Sequence, residues 1–208
     1  MMTFCGYRSM AGQQAPSCDG GSIPTYPLHS LFVDLCELSV IKSLLERIHY
    51  SHSVFGVTTS YCFSIISQTE LVGGAIVGKP AAFNVENKYG KGTLELRRFA
   101  LIDECEKNSE SRVLGVICKK LRKLGVPRLL SYADPRFGHS GCIYKASGFR
   151  LIGHTAKRTH WKWKDAVYPD RNIHQVNFPF HAELRSAIAN GDAAKISIPP
   201  KFIYLRDL

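Results

Sequence analysis

The seven cysteines of this 208-residue chain include no CxxC pair. A zinc ribbon needs such pairs, and an odd cysteine count does not close into a disulfide framework. Cys36, Cys62 and Cys118 lie in apolar stretches and read as small core residues. No apolar run reaches the roughly 18–20 residues that span a bilayer. Residues 1–30 hold no apolar signal core, and no internal repeat is present. Acidic residues are few, 17 against 27 Lys and Arg, for a formal charge of +10. These absences predict a reduced, cytoplasmic protein with no membrane partner. The charge excess predicts a polyanionic partner such as nucleic acid or a polyphosphate cofactor. An apolar fraction of 45% is enough for one globular core.

Residues 1–27, rich in Gly, Ser, Gln and Pro, read as a flexible leader. Residues 28–165 read as the catalytic domain and 166–208 as an extended appendage packing on it. Leu31–Leu38 alternates like a strand. Ser39 is placed to N-cap a helix whose Ile41, Leu44, Leu45 and Ile48 form one face and which runs into His49-Tyr50-Ser51-His52. Ser60–Ser67 and Leu71–Val77 form a hairpin across Gln68-Thr69-Glu70. A polar loop spans Asn84–Gly92. Thr93–Ile102 is a long strand whose alternation slips at Arg97-Arg98, permitting a bulge. A second helix opens at Ser109 or Ser111 and ends in Lys119, Lys120, Arg122 and Lys123, which suits its dipole. Strands follow at Leu129–Tyr132, Phe149–Ile152 and Thr159–Trp163. His181–Asn190 is a short helix, and Ile198–Tyr204 an extended tail. The order implies an α/β (α+β) fold with a mixed, mostly antiparallel sheet and helices on both faces.

The densest chemistry lies in Ser131–Phe149. Asp134-Pro135 ends a strand, Gly138 and Gly141 free the backbone for an irregular turn, and Ile143–Ala146 is one helical turn closed by Gly148. Tyr144 on that turn is the general-acid candidate, with a core tyrosine as the alternative. Asp134 is a base or metal-ligand candidate, or a turn former with Pro135. If the strand is regular, Arg97 and Arg98 alternate, one facing a groove to bind carboxylate or phosphate and the other solvated. Lys162, Lys164, Lys120 and Lys123 are candidate DNA-phosphate contacts, or a plain solvated surface.

The element order resembles the GNAT acyltransferase fold. There a helix N-terminus holds the CoA pyrophosphate, and a tyrosine on the next short helix protonates the departing thiolate. Tyr144 falls at that tyrosine. The pyrophosphate loop departs from the pattern: Asn108-Ser109-Glu110-Ser111-Arg112 has no glycine in the turn. Three separated motifs together resemble the phage Mom family. They are His49-Tyr50, Glu95-Leu96-Arg97-Arg98-Phe99, and Tyr132-Ala133-Asp134-Pro135 with Gly138-His139, Gly141 and Ile143-Tyr144.

This resemblance implies an enzyme that converts adenine in double-stranded DNA to N6-(methylcarbamoyl)adenine and so shields phage DNA from host restriction. It implies acetyl-CoA or another acyl-CoA, with Arg98, Ser109, Ser111 and Arg112 as cofactor-binding residues. It also implies iron, with His49, Asp134 and His139 as ligands. His49 and His52, at i and i+3, would share a helical face. Tyr50 would stack on the target base, and with Tyr144, Asp134 and Arg97 it completes the catalytic set. An ordinary GNAT N-acyltransferase on a protein or small amine, and a non-enzymatic DNA-binding protein on the same scaffold, are the rival readings. Oligomeric state stays open, a homodimer being one arrangement.

Overall fold

The structure is a computed structural model that describes residues 26–174 and 180–208. Most of the expected leader, and residues 175–179, lie outside the described residues. Two compact units are present, one of residues 26–155 with 201–208 and one of 156–174 with 180–200. The second unit begins at residue 156, and residues 201–208 return to the first because the last strand belongs to the main sheet.

The larger unit begins with β1 (Leu31–Cys36), α1 (Leu38–Ile48), β2 (Tyr61–Ser67) and β3 (Glu70–Gly78). It continues through α2 (Val85–Tyr89), β4 (Thr93–Leu101), α3 (Ser109–Lys123), β5 (Arg128–Ala133), α4 (Cys142–Ala146) and β6 (Arg150–His154). The smaller unit carries β7 (Arg158–Trp163), β8 (Ala166–Pro169), α5 (His181–Ala189) and β9 (Ala194–Ile198), its strands ordered β8-β7-β9. The chain then returns to the larger unit as β10 (Phe202–Asp207). The main sheet runs β1-β2-β3-β4-β5-β10-β6, with β4–β5 parallel and the other pairs antiparallel.

Helices cover both sheet faces, as strand alternation requires. Ile76 packs with Ile41 and Leu45 of α1, while its neighbours Ala75 and Val77 pack with Val113, Ile117 and Leu121 of α3. Ile41 and Leu45 are fully buried, each worth about 1.5–3 kcal/mol against exposure.

Several sequence expectations need correction. The α1 N-cap is Glu37, not Ser39, and it makes no side-chain cap bond. The helix stops at Ile48, because His49 is extended at φ −77, ψ 136. The Asn84–Gly92 loop contains α2. Helix α3 starts from Asn108 in a left-handed conformation, with neither serine as cap. Tyr26 bridges Cys105 and its N–H donates to Glu104 O, so the end of the expected leader is tied down. The expected tail is β10, seated between β5 and β6.

Candidate active site

β4 and β5 pair only over Thr93–Glu95 and Arg128–Leu130, then diverge. At the same point β4 bulges. Ile76 faces Arg98 and Val77 faces Leu96, which leaves Arg97 as the extra residue. A bulge breaks alternation and re-aims side chains. Beyond the last parallel pair lies a cavity of about 280 Å³, walled by Leu96–Leu101 of β4, Tyr132 of β5, Gly138–Tyr144, Glu110 of α3 and His49-Tyr50.

Arg97 and Arg98 both line this cavity and both are half-buried. The expectation of one inward and one solvated arginine is therefore corrected, and the bulge is the reason. Arg98 Nε donates to Ser53 O at 2.9 Å, and its Nη1 donates to Arg97 O at 2.7 Å. Arg97 Nη1 stands 3.2 Å from Glu95 Oε1. Nε and Nη1 of Arg97 are buried, and neither has an aligned hydrogen-bond acceptor among the described residues. Glu95 is itself buried, and its Oε2 accepts from Ala81 N at 2.9 Å.

Tyr144 comes from α4, whose first turn is set by Gly141 at φ 79. A side chain at Gly141 would collide with the ring of Tyr204, a fully buried β10 residue whose hydroxyl donates to Ser140 O at 2.9 Å. The β10 strand thus holds the cavity loop against the sheet. The Tyr144 ring lies 5.2 Å from Tyr204 and 5.6 Å from Phe149. Burial pushes its phenol pKa up; a hydrogen bond from the Ser131 hydroxyl opposes this, and Tyr204 adds to it. Tyr144 therefore keeps its proton at neutral pH.

His49 is buried, and burial, with Arg98, His139 and His52 nearby, pushes its pKa down to about 3. The Ser51 backbone N–H donates to His49 Nδ1 at 3.1 Å. Nδ1 is then the acceptor, and the ring proton is assigned to Nε2. Tyr50 packs among three rings, at 4.2 Å from His49, 4.5 Å from Phe137 and 5.3 Å from His139. His52 is exposed, outside the helix at φ 46, so it shares no helical face with His49.

Asp134 is buried beneath two cations. Arg136 forks onto it, Nε to Oδ1 at 3.0 Å and Nη2 to Oδ2 at 2.6 Å, and Lys201 Nζ lies 3.0 Å from Oδ2. Burial alone would raise its pKa, but the bonds from Arg136 and Lys201 outweigh that and hold it at about 2. A carboxylate so clamped is a poor base. His139 is exposed by surface area, yet packing of part of its ring against its neighbours desolvates it enough to lower its pKa, with Asp134 opposing and Lys201 adding to the shift.

These three residues do not fit an iron centre as arranged. Both Asp134 oxygens are engaged by cations, Nδ1 of His49 is occupied, and Arg98 stands close by. Among the described residues no three His, Cys, Asp or Glu side chains group to hold a metal.

A second hollow of about 450 Å³ runs between α3 and α4, lined by Ser111, Arg112, Gly115, Val116, Lys119, Ala146–Gly148 and Arg206. Its cations suit a phosphate-bearing arm. Ser111 and Arg112 both line this hollow. Ser109 is fully buried and its hydroxyl has no partner among the described residues, so its side chain is not on the hollow's surface. Arg98 lines the first cavity instead.

The family model of the Mom proteins matches residues 30–208. The chain belongs to the Mom protein family. It is 31% identical over 144 residues to the methylcarbamoylase Mom of Escherichia phage Mu, an alignment covering 64% of this chain and 58% of that protein. It thus spans less than two thirds of that relative's length. An IAA acetyltransferase from Bacillus cereus superposes with a TM-score of 0.51 at 9% identity, covering 86% of this chain and all of that one. A GNAT family acetyltransferase from Elizabethkingia anophelis with acetyl-CoA bound gives 0.48 at 12% identity, covering 86% and 99%. The fold of this Mom-family chain is that of the GNAT acetyltransferases.

In this Mom-family chain the three motifs that carried the resemblance meet at one cavity. The surface lysines fare differently. Lys120 pairs with Asp34 at 3.1 Å, whereas Lys123 is exposed at the end of α3. Lys162 and Lys164 are exposed on the smaller unit, Lys164 Nζ lying 4.4 Å from the centre of the Trp163 ring. Sequence reasoning missed Glu95, Arg136, Lys201, Arg206 and Tyr204. Arg136 carried a local signal, two residues after Asp134 in a turn; Lys201, Tyr204 and Arg206 reach the site only through β10 pairing. No helix among the described residues is long and apolar enough to cross a membrane.

Proposed function

We propose that this chain transfers an acyl-derived group to the N6 amine of adenine in double-stranded DNA, the product being N6-(methylcarbamoyl)adenine. The observation that carries the reading is the Arg97 guanidinium, a fork of N–H donors, on a cavity wall shared with Tyr144. Such donors suit the carbonyl oxygen of a transferred group, where charge develops as the amine attacks. The name of the phage Mu relative and the +10 charge support DNA as the acceptor.

The hollow between α3 and α4 fits an acyl-CoA. Ser111, Arg112, Lys119 and Arg206 would hold its phosphates by side chains, in place of a glycine-rich turn. Attack of N6 on an acetyl thioester breaks its C–S bond and leaves N6-acetyladenine. The methylcarbamoyl product therefore calls for a thioester whose carbonyl already bears a methylamino nitrogen, an N-methylcarbamoyl thioester, with the thiolate as the leaving group. Tyr144 keeps its proton and donates it to the leaving group. His139, neutral and exposed beside the cavity, accepts the proton that N6 gives up. His49 offers an N–H rather than a base. Tyr50, Phe137 and His139 form an aromatic rim for a flipped base. Exposed Lys123, Lys162 and Lys164 contact phosphates.

Nucleoside mass spectrometry of DNA from cells expressing the chain is the test. A methylcarbamoyl-deoxyadenosine peak is expected, and it should be lost in Arg97→Met. Unmodified nucleosides from well-folded protein would sink the reading in favour of an amine acyltransferase or a binding protein. An acetylated deoxyadenosine would keep the DNA acceptor and overturn the product.

A further inference from the structure

In Val54-Phe55-Gly56-Val57 the largest apolar side chain is the one left in water. Val54 is 7% exposed and packs with Ile41, Leu45, Cys62 and Ile76, and Val57 rests on the same cluster. Phe55 between them is 94% exposed. The four residues form a turn, with Val57 N donating to Val54 O at 3.3 Å and Gly56 at φ 68 in its third position, as a type II turn requires. The two valines anchor the turn and its corner displays the phenyl ring.

The turn is bonded to the cavity wall. Phe55 N donates to Ser53 Oγ at 3.1 Å. Ser53 O accepts from Arg98 Nε at 2.9 Å and from the Ser51 hydroxyl at 3.2 Å. Ser51 in turn holds His49. Arg98, His49 and Tyr50 line the cavity. The ring therefore stands on a mount fixed to the site where the target base must arrive.

We propose that Phe55 is a wedge that enters the base stack of duplex DNA and occupies the space a turned-out adenine leaves. This rests on the DNA reading above. An adenine stacked within a duplex cannot enter a cavity of about 280 Å³ without leaving the stack. Proteins that open a base step commonly insert an apolar side chain such as phenylalanine. A phenyl ring has no polar handle for phosphate or carboxylate, so its partner is an apolar, flat surface, which a base pair supplies. The aromatic rim of Tyr50, Phe137 and His139 would receive the base on one side while Phe55 fills the gap on the other.

Duplexes carrying 2-aminopurine in place of adenine report unstacking by a rise in fluorescence. The full chain should give a several-fold rise on saturating such a duplex. Phe55→Ala should bind the same duplex with affinity within a few fold, show an unchanged circular dichroism spectrum, and give no rise. Phe55→Trp should restore the rise, with its own indole emission quenched by stacking. A single-stranded oligonucleotide, already unstacked, should not distinguish the variants. Equal rises from wild type and Phe55→Ala would overturn the wedge. Binding without any rise in wild type would overturn it while leaving the DNA reading intact. No binding by wild type would remove both.

Discussion

Glu95 Oε1 stands 3.2 Å from Arg97 Nη1, two residues along a strand that bulges between them and the next register. The carboxylate is buried, and its other oxygen takes the Ala81 N–H. Glu95 therefore holds the Arg97 fork by charge without using up its hydrogen-bonding N–H groups. Glu95→Gln keeps the shape and removes the charge. Modification should fall about 10- to 100-fold as the arginine loses its aim. Nucleoside mass spectrometry beside a thermal melt checks it, and an unchanged product level would reduce Glu95 to packing.

Tyr144→Phe removes one oxygen from a ring packed by Tyr204 and Phe149. Stability should barely move, while modification should fall by about 10²–10⁴-fold, the usual worth of a general acid. Near-normal product from this variant would make Tyr144 a core residue.

The His49 ring should make the fold sensitive to mild acid. Its pKa is about 3 in the folded chain against an ordinary 6.5. A depressed pKa means that the unfolded chain binds the proton first. The stability tied to neutral His49 is complete above pH 6.5 and is lost as pH falls toward 3. Between pH 7.5 and 5 the loss should be about 2 kcal/mol. Asp134 stays ionised across that window and does not contribute. Urea melts of wild type and His49→Gln should show the slope in the first and a flatter profile in the second.

Asp134→Ala strips a buried anion from Arg136 and Lys201, which stay part-exposed, and should cost about 1–3 kcal/mol. The same proteins, purified without chelators or a histidine tag, should carry no stoichiometric iron in either form. Iron present in wild type and lost in Asp134→Ala would replace the cation clamp with a metal centre.

Affinity for duplex DNA should fall linearly on a log–log plot against salt. Loss of Lys162 or Lys164 should each shallow the slope by about one. Affinity flat in salt would remove phosphate contacts from the interface.

The chain was legible where the pattern was local. The α1 face, the bulge at Arg97-Arg98 and the Tyr144 turn follow from periodicity and glycine placement over a few residues, and all appear as expected. What failed depended on partners far along the chain. Asp134 reads as a free carboxylate until β10 brings Lys201 against it. The two arginines read as opposite in facing until the bulge sends both to one cavity. Residues Ile198–Tyr204 read as a tail because their prolines break the pattern, yet the strand after them has the buried Ile203, Tyr204 and Leu205 of a central strand.

The seat of β10 between β5 and β6 sets an order of assembly. Both neighbours emerge during synthesis with their facing edges bare, and the whole smaller unit follows before the strand that fills the gap. Until then β5 and β6 are open templates for pairing with another chain, and the loop bearing His139 lacks the Tyr204 ring that pins it. In a nascent chain the loop that walls the cavity is pinned only once β10 is seated, and the open edges of β5 and β6 are most prone to mispairing just before that.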